Sequence, residues 1–397
     1  MRQWAFLLVL AGMALPAFAA RRVSVAELEQ LLAAAHGQPD KKVAKQIDDL
    51  ELTERVSYTR LTQWEAGLPG SQSREALTKI ADGAAFLGPA PEDVPDTPKP
   101  DREAQIQMVK KAMDYTVEAL HRLPNFMATR QTKTFESLPH IEETNHTAAA
   151  PTGQTELNPA TSVDGEGNDF GRLFVVDSWN SRVTYRDGEE VADDEQKRSD
   201  TTPRALSTWG VFGPILSVVL SDALQGKLIW EHWERGPNGD YGVFSYTVPQ
   251  VYSHFNVDTG NPLDIGDPGN TISVFPAYHG EIGIDPATGS IMRISEQAEF
   301  AGTQAGTKAA SIQVEYGAVE IGGSPYICPV RSVALCRREV LSLTRMPNSI
   351  TQLNDVVFTN YHVFRTESRI LSVGITDGRG GTAGDAKPAQ QPDSKQK

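Results

Sequence analysis

A chain of 397 residues with 39% hydrophobic content is long enough for two domains, or for one domain with a substantial appendage, and can fill a real core. Its 37 basic and 51 acidic side chains leave a net charge of −14, which argues against binding nucleic acid or anionic membranes by charge. After the N-terminal segment no apolar run is long enough to span a bilayer. The longest, Trp209 to Leu220, is broken by Gly210, Gly213, Pro214 and Ser217.

The N-terminus carries one positive charge, Arg2, then an apolar stretch from Phe6 to Leu15, Pro16, and the small-x-small run Ala17-Phe18-Ala19. This is the pattern of a cleavable signal peptide over residues 1–19, and no Cys stands at the cleavage site to take a lipid. The expectation is an exported protein, periplasmic or extracellular, whose mature chain starts at Ala20 and has no transmembrane segment. Cys328 and Cys336 are the only cysteines, and an oxidising compartment favours pairing them. On one unbroken strand, however, their α-carbons would stand roughly 26 Å apart, against the ~7 Å limit of a disulfide. Pairing therefore requires a turn near Arg331 to Val333, and both outcomes stay open.

Residues 20–87 have helical periodicity. Ser24 and Glu27 form a capping-box pair, followed by the stripe Val25, Leu28, Leu31, Leu32 and Ala35. Asp40 is placed to cap a second helix with Val43, Ile47 and Leu50, and Thr53 a third with Val56, Leu61, Trp64 and Leu68. A fourth, after Ser73, carries Leu77 and Ile80 and stops at Gly83. Residues 88–101 hold five prolines among acidic residues and form the natural linker. The domain beyond it, residues 102–375, opens with a helix that aligns Ile106, Val109, Met113, Val117 and Leu120 on one face.

Past Pro124 the period changes to two, starting with a strand at Phe126. Asp187-Gly188, Asn238-Gly239, Asp285 to Gly289 and Gly322-Gly323 each separate two strand-like runs, which predicts an antiparallel meander. Arg182–Arg186, Leu228–Glu234, Tyr241–Val248, Val251–Val257, Tyr278–Ile284, Ser290–Gln297, Ile312–Ile321, Pro325–Arg338 and Val356–Leu371 are the predicted strands, with a helix interposed at Pro214–Gln225. The long loop Thr144–Gly167, which includes the Asn145 sequon, and the polar tail 376–397 are expected to lack a core. The fold class is α+β: an N-terminal short-helix unit, then a curved antiparallel meander, an incomplete barrel with a packed helix.

No nucleophile elbow, His-Glu-x-x-His pair, phosphate loop or Cys-x-x-Cys is present, so the reading is non-catalytic, without a cofactor. His279 and Glu281 share a strand face beside Asp285, but two ligands without a third are a poor metal site. Glu231 and His232 lie between two tryptophans, and strand alternation would place Trp230 with His232 and Glu231 with Trp233. Trp230, Trp233, Tyr241, Phe244, Tyr246, Tyr252 and Phe255 supply rings on both parities of neighbouring strands. Such a sheet needs a cover on each face: one is the Pro214–Gln225 helix, and the other is open to a lipid, an acyl chain or a partner protein.

The run YHGEIGIDPATGSIMRISEQAEF, the hairpin SIQVEYGAVEIGGSPYICPV and the strand DVVFTNYHVF together resemble the outer-membrane lipoprotein-sorting (LolA/LolB-like) fold. That fold is shared with periplasmic regulators of envelope stress. The chain is also similar to exported proteins of soil bacteria with a helical N-terminus and a Leu123-Pro-Asn-Phe126 opening strand. The resemblance covers roughly Leu123 to Leu371 and implies an apolar concave face offered to acyl chains or an envelope lipoprotein. The extra helical unit points instead to a structural or regulatory interaction protein of the envelope, and a hydrolase built from distant residues is the third reading.

Overall fold

The computed structural model describes residues 20–137, 140–141, 173–191, 206, 208, 210–260, 271–300, 307–341 and 347–363. The expected signal peptide over residues 1–19, the predicted loop Thr144–Gly167 and the predicted tail 376–397 lie outside the described residues.

In the helical unit the capping box forms as expected. Ser24 Oγ accepts from the Glu27 amide at 3.1 Å, and Glu27 accepts from the Ser24 amide at 2.9 Å, opening α1 (Val25–Ala34). Helices α2 (Asp40–Asp48), α3 (Tyr58–Gly67) and α4 (Ser71–Gly83) follow. Asp40 does not cap its own helix. Its carboxylate accepts the Gln72 and Ser73 amides at 3.1 and 2.8 Å, so it caps α4 across space. Two short strands, β1 (Arg21–Val23) and β2 (Leu50–Leu52), pair in parallel, an element with too few residues to show periodicity. Val25, Leu28, Val43, Ile47, Leu61 and Leu77 fill a core of this unit, which Ala90 of the linker joins.

Helix α5 (Arg102–Arg122) begins where Asp101 accepts the Ala104 amide. The main sheet then contains β3 (Phe126–Ser137), β5 (Leu173–Arg186), β6 (Glu189–Val191), β7 (Lys227–Gly236), β8 (Gly239–Val248) and β11 (Ala277–Ile284). Its remaining long strands are β12 (Ile291–Glu299), β13 (Thr307–Ile321), β14 (Ser324–Leu341) and β15 (Pro347–Val363). The two-residue β4 (His140–Ile141) pairs with β15 off the main path. Ten strands run in the order β6-β5-β3-β15-β14-β13-β12-β11-β8-β7, all pairs antiparallel, and the sheet does not close into a barrel. Strand β15 departs from a simple meander by inserting between β14 and β3.

The four predicted turns all lie between paired strands. The expected strand Val251–Val257 does not form. Pro249 leads into a 3-10 turn, Gln250–Tyr252, and extended pairing starts only at Val257, in a separate hairpin of β9 (Val257–Gly260) and β10 (Thr271–Val274). The sequence reading also expects Trp230 and Trp233 on opposite faces. A bulge between Trp230 and His232 inserts Glu231 as the extra residue, so the two rings meet edge to face at 4.9 Å. That bulge, with Lys227, Glu231 and Arg235 exposed, blunts the terminal strand against pairing with another chain.

Alternation gives the sheet two different faces. Ala128, Phe244, Tyr246, Tyr278, Ile282, Ile294, Val314 and Val356 point to one side, where Met108 and Ala112 of α5 and Leu216, Val219 and Leu220 of α6 (Pro214–Gln225) complete the largest core. On the other side Phe135, Val333, Leu335 and Leu353 meet Ala85 and Phe86 of the helical unit. Both covers are therefore supplied by the chain itself. Gly242 marks a close approach of α5 to the first face: a Cβ there would stand 2.6 Å from the Trp230 ring and 2.7 Å from Met108 Sδ. Replacing Gly242 with Ala is expected to cost about 1–3 kcal/mol, read as a lowered midpoint in chemical denaturation. An unchanged midpoint would mean that α5 is not packed down on this strand.

Candidate functional site

The structure distributes the aromatic candidates over three environments. Trp230, Phe244 and Tyr246 are buried in the core beneath α5 and α6, with Trp233 and Phe255 half-buried against it. Tyr252 is exposed in the 3-10 turn. Tyr241 points to the opposite face and takes part in the main concentration of buried charge. Cys328 and Cys336 are both free thiols on the continuous strand β14, so no turn brings them together and the pairing is not made. Burial pushes the Cys328 thiol up to about 12, which keeps it protonated and unreactive.

The candidate metal residues separate. His279 Nδ1 lies 2.8 Å from Glu299 Oε1, Glu281 accepts from Arg293, and Asp285 is occupied by the Ala287 and Thr288 amides of its turn. Glu231 accepts from Ser245 Oγ at 2.5 Å on the surface.

Between the helical unit and the sheet lies a network that the sequence reading missed. Arg55 leaves the segment between β2 and α3, and its backbone is fixed where its N–H donates a hydrogen bond to the Gly88 carbonyl at 2.8 Å. Its guanidinium donates two parallel hydrogen bonds of 2.9 Å to the carboxylate of Glu234 on β7. Tyr241 Oη donates to the same carboxylate at 2.6 Å, and Arg293 Nη2 donates to it at 3.2 Å and to Glu281 at 2.7 Å. The side chains of Arg55, Glu234 and Arg293 are 2%, 1% and 1% exposed. Burial alone would raise the Glu234 carboxyl, but Arg293 and Arg55 hold it well below the usual carboxylate range. A second bridge lies nearby, where Arg331 on β14 donates to Asp82 of α4 and, at 2.8 Å, to Asp355 on β15.

These groups are bonded to one another and close off a polar interface. Beside them, Gln313, Glu315, Arg331 and Tyr58 border a hollow of about 10 Å³, near the volume of one water. The sequence signal for this network is faint: Arg293 interrupts the apolar run Ile291-Met292-Arg293-Ile294, and nothing local identifies Arg55 as its neighbour.

A second polar group lies on the α6 face. Fully buried Asp222 accepts the His254 amide at 2.9 Å and the Tyr278 hydroxyl at 2.8 Å, and its other oxygen lies 2.7 Å from His254 Nδ1. The imidazole is 67% exposed. This geometry can orient a general base, but among the described residues no hydroxyl or thiol nucleophile is hydrogen-bonded to the other ring nitrogen. The bonds instead tie the segment after β8 to α6, which explains why a strand does not form there. Glu296, buried with Asp222 nearby, is pushed up to about 8.

Compared with family models, curated proteins and solved structures, the chain matches none.

Two outcomes follow. Glu234→Gln leaves two buried guanidiniums without a full counter-charge and should destabilise the fold by roughly 3–5 kcal/mol, with earlier proteolysis in the 88–101 linker; unaltered stability would contradict the network's role. Glu296 has its folded pKa above the ordinary 4.5, so its contribution is complete below pH 4.5 and is lost as pH rises through about 8. Over that window Glu296→Gln should gain on the wild type by about 1.4 kcal/mol per pH unit, and parallel stability curves would refute this.

Proposed function

We propose that this chain is an exported, non-catalytic binding module of the cell envelope whose ligand is a protein surface. The observation that carries this reading is the double cover of the sheet. A carrier of the sorting type needs an apolar chamber, and drug-sized ligand sites run to roughly 300–1,000 Å³. Here α5 and α6 occupy one face of the sheet and the helical unit the other. The hollow between α5, α6 and the sheet, beside Phe212, Tyr316 and Cys328, measures about 10 Å³. An acyl chain has no room there among the described residues.

The family resemblance is read, on this view, as a shared incomplete-barrel scaffold whose carrier chamber has been filled by the chain's own helices. Recognition then falls to the outer surface, where Ile106, Met113 and Val117 of α5 and Val251 and Phe275 near the β9–β10 hairpin are exposed. Catalysis is given no role because the charged clusters satisfy one another rather than converging on open space.

Native mass spectrometry with lipid extraction, on protein purified from its own compartment, tests the reading. The expected result is a mass equal to the mature polypeptide or to whole-protein complexes. A stoichiometric extractable lipid would overturn it in favour of the carrier.

A further inference from the structure

Of the apolar stripe that the sequence displays on α5, Val109 packs against the core, while Ile106, Met113 and Val117 stay exposed. Met108, Ala112 and Thr116 face the sheet, whereas Ile106, Met113 and Val117 are 55%, 41% and 62% exposed. Their spacing of seven and four residues keeps them on one side of the helix, over about 16 Å of its length. Lys110 and Asp114 stand on one flank of that stripe. Both are exposed, and among the described residues neither is in an ion pair with another side chain.

We propose that α5 is the two-fold contact between two copies of this chain, packed antiparallel along this stripe. The charge pattern selects this occupant. A two-fold axis that sets a helix against its own copy in antiparallel keeps each flank on its own side, so residues of one flank meet residues of that same flank. An axis passing beside Ala112 places each Lys110 opposite Asp114 of the other copy, twice by symmetry. Within one residue of the same register, Ile106 faces the turn that carries Val117, and Met113 lies close to the axis. A parallel two-fold pair would turn the two flanks to opposite sides, so Lys110 would not meet Asp114.

The other candidate for an apolar helix face, an anionic membrane, is opposed by the chain's net charge of −14. A single helix-on-helix contact is small, so the dimer is a reversible one of the low-area class. This inference rests on the proposed binding role and deepens it, naming a second copy of the chain as the partner of the α5 surface.

Sedimentation velocity of the full mature chain over a concentration series is the test. The expected result is a monomer–dimer equilibrium that Met113→Glu with Val117→Glu converts to monomer, with the circular dichroism melt unchanged because both positions are exposed. Lys110→Asp should weaken the dimer about tenfold, and Lys110→Asp combined with Asp114→Lys should restore it. A wild-type chain that stays monomeric, a dimer indifferent to these variants, or co-sedimentation with anionic phospholipid vesicles in place of self-association would each overturn the proposal. None of these outcomes alters the lipid-extraction result, so the two ideas fail separately.

Discussion

The bidentate contact of Arg55 with Glu234 is the constraint on which the arrangement of the molecule depends. It joins the loop after β2 to the last strand of the sheet, 179 residues away in sequence, and it is buried on both sides. Charges taken out of water are expensive unless each finds a partner, and here every member serves another. Arg55 and Arg293 share Glu234, Glu281 takes the second bond of Arg293, and Tyr241 completes the carboxylate shell. Such a network adds little net stability over an apolar contact but permits only one docking geometry. Apolar surface at Ala85, Phe86, Phe135 and Leu353 drives the association, and the ions set its register.

That register determines what the sheet can do. Without the helical unit, one face would expose Arg293, Glu281, Glu315 and Arg331 to water, and the molecule would be an open antiparallel sheet with helices on a single side. With the unit in place the protein has three layers, and its exposed apolar side chains include those of α5 and of the segments beside the β9–β10 hairpin. The helical appendage is thus a cover built into the chain. The opposite face has the same logic, with α5 and α6 filling it and Gly242 admitting Trp230 and Met108 to close packing.

Much of this was legible in the residues, for local reasons. Ser24 and Glu27 mark a helix start because both partners lie within one turn, and Asp187-Gly188 and Gly322-Gly323 mark hairpins because few residues accept positive φ. What could not be read depended on distant partners. Asp40 has the composition of a cap for its own helix yet caps α4. The bulge at Glu231 reverses the facing of Trp233, since one inserted residue shifts every later side chain. On α5, the stripe Ile106-Met113-Val117 has the stronger periodicity, but the sheet selects Met108, Ala112 and Thr116, smaller or more flexible side chains that allow close approach. Arg55 and Glu234 had no local signal at all, because an ion pair across 179 residues leaves no period.

The helical unit is a fixed cover, sharing one cooperative structure with the sheet through the Arg55–Glu234–Arg293 network. Native-state hydrogen exchange measures this directly, by comparing amides of α1 to α4 with those of β12 to β14. The account predicts that the slowest amides of both sets exchange only through the same global opening, with one common free energy. Exchange of the α1–α4 core at a much lower free energy, while the sheet stays protected, would show a detachable appendage and contradict it.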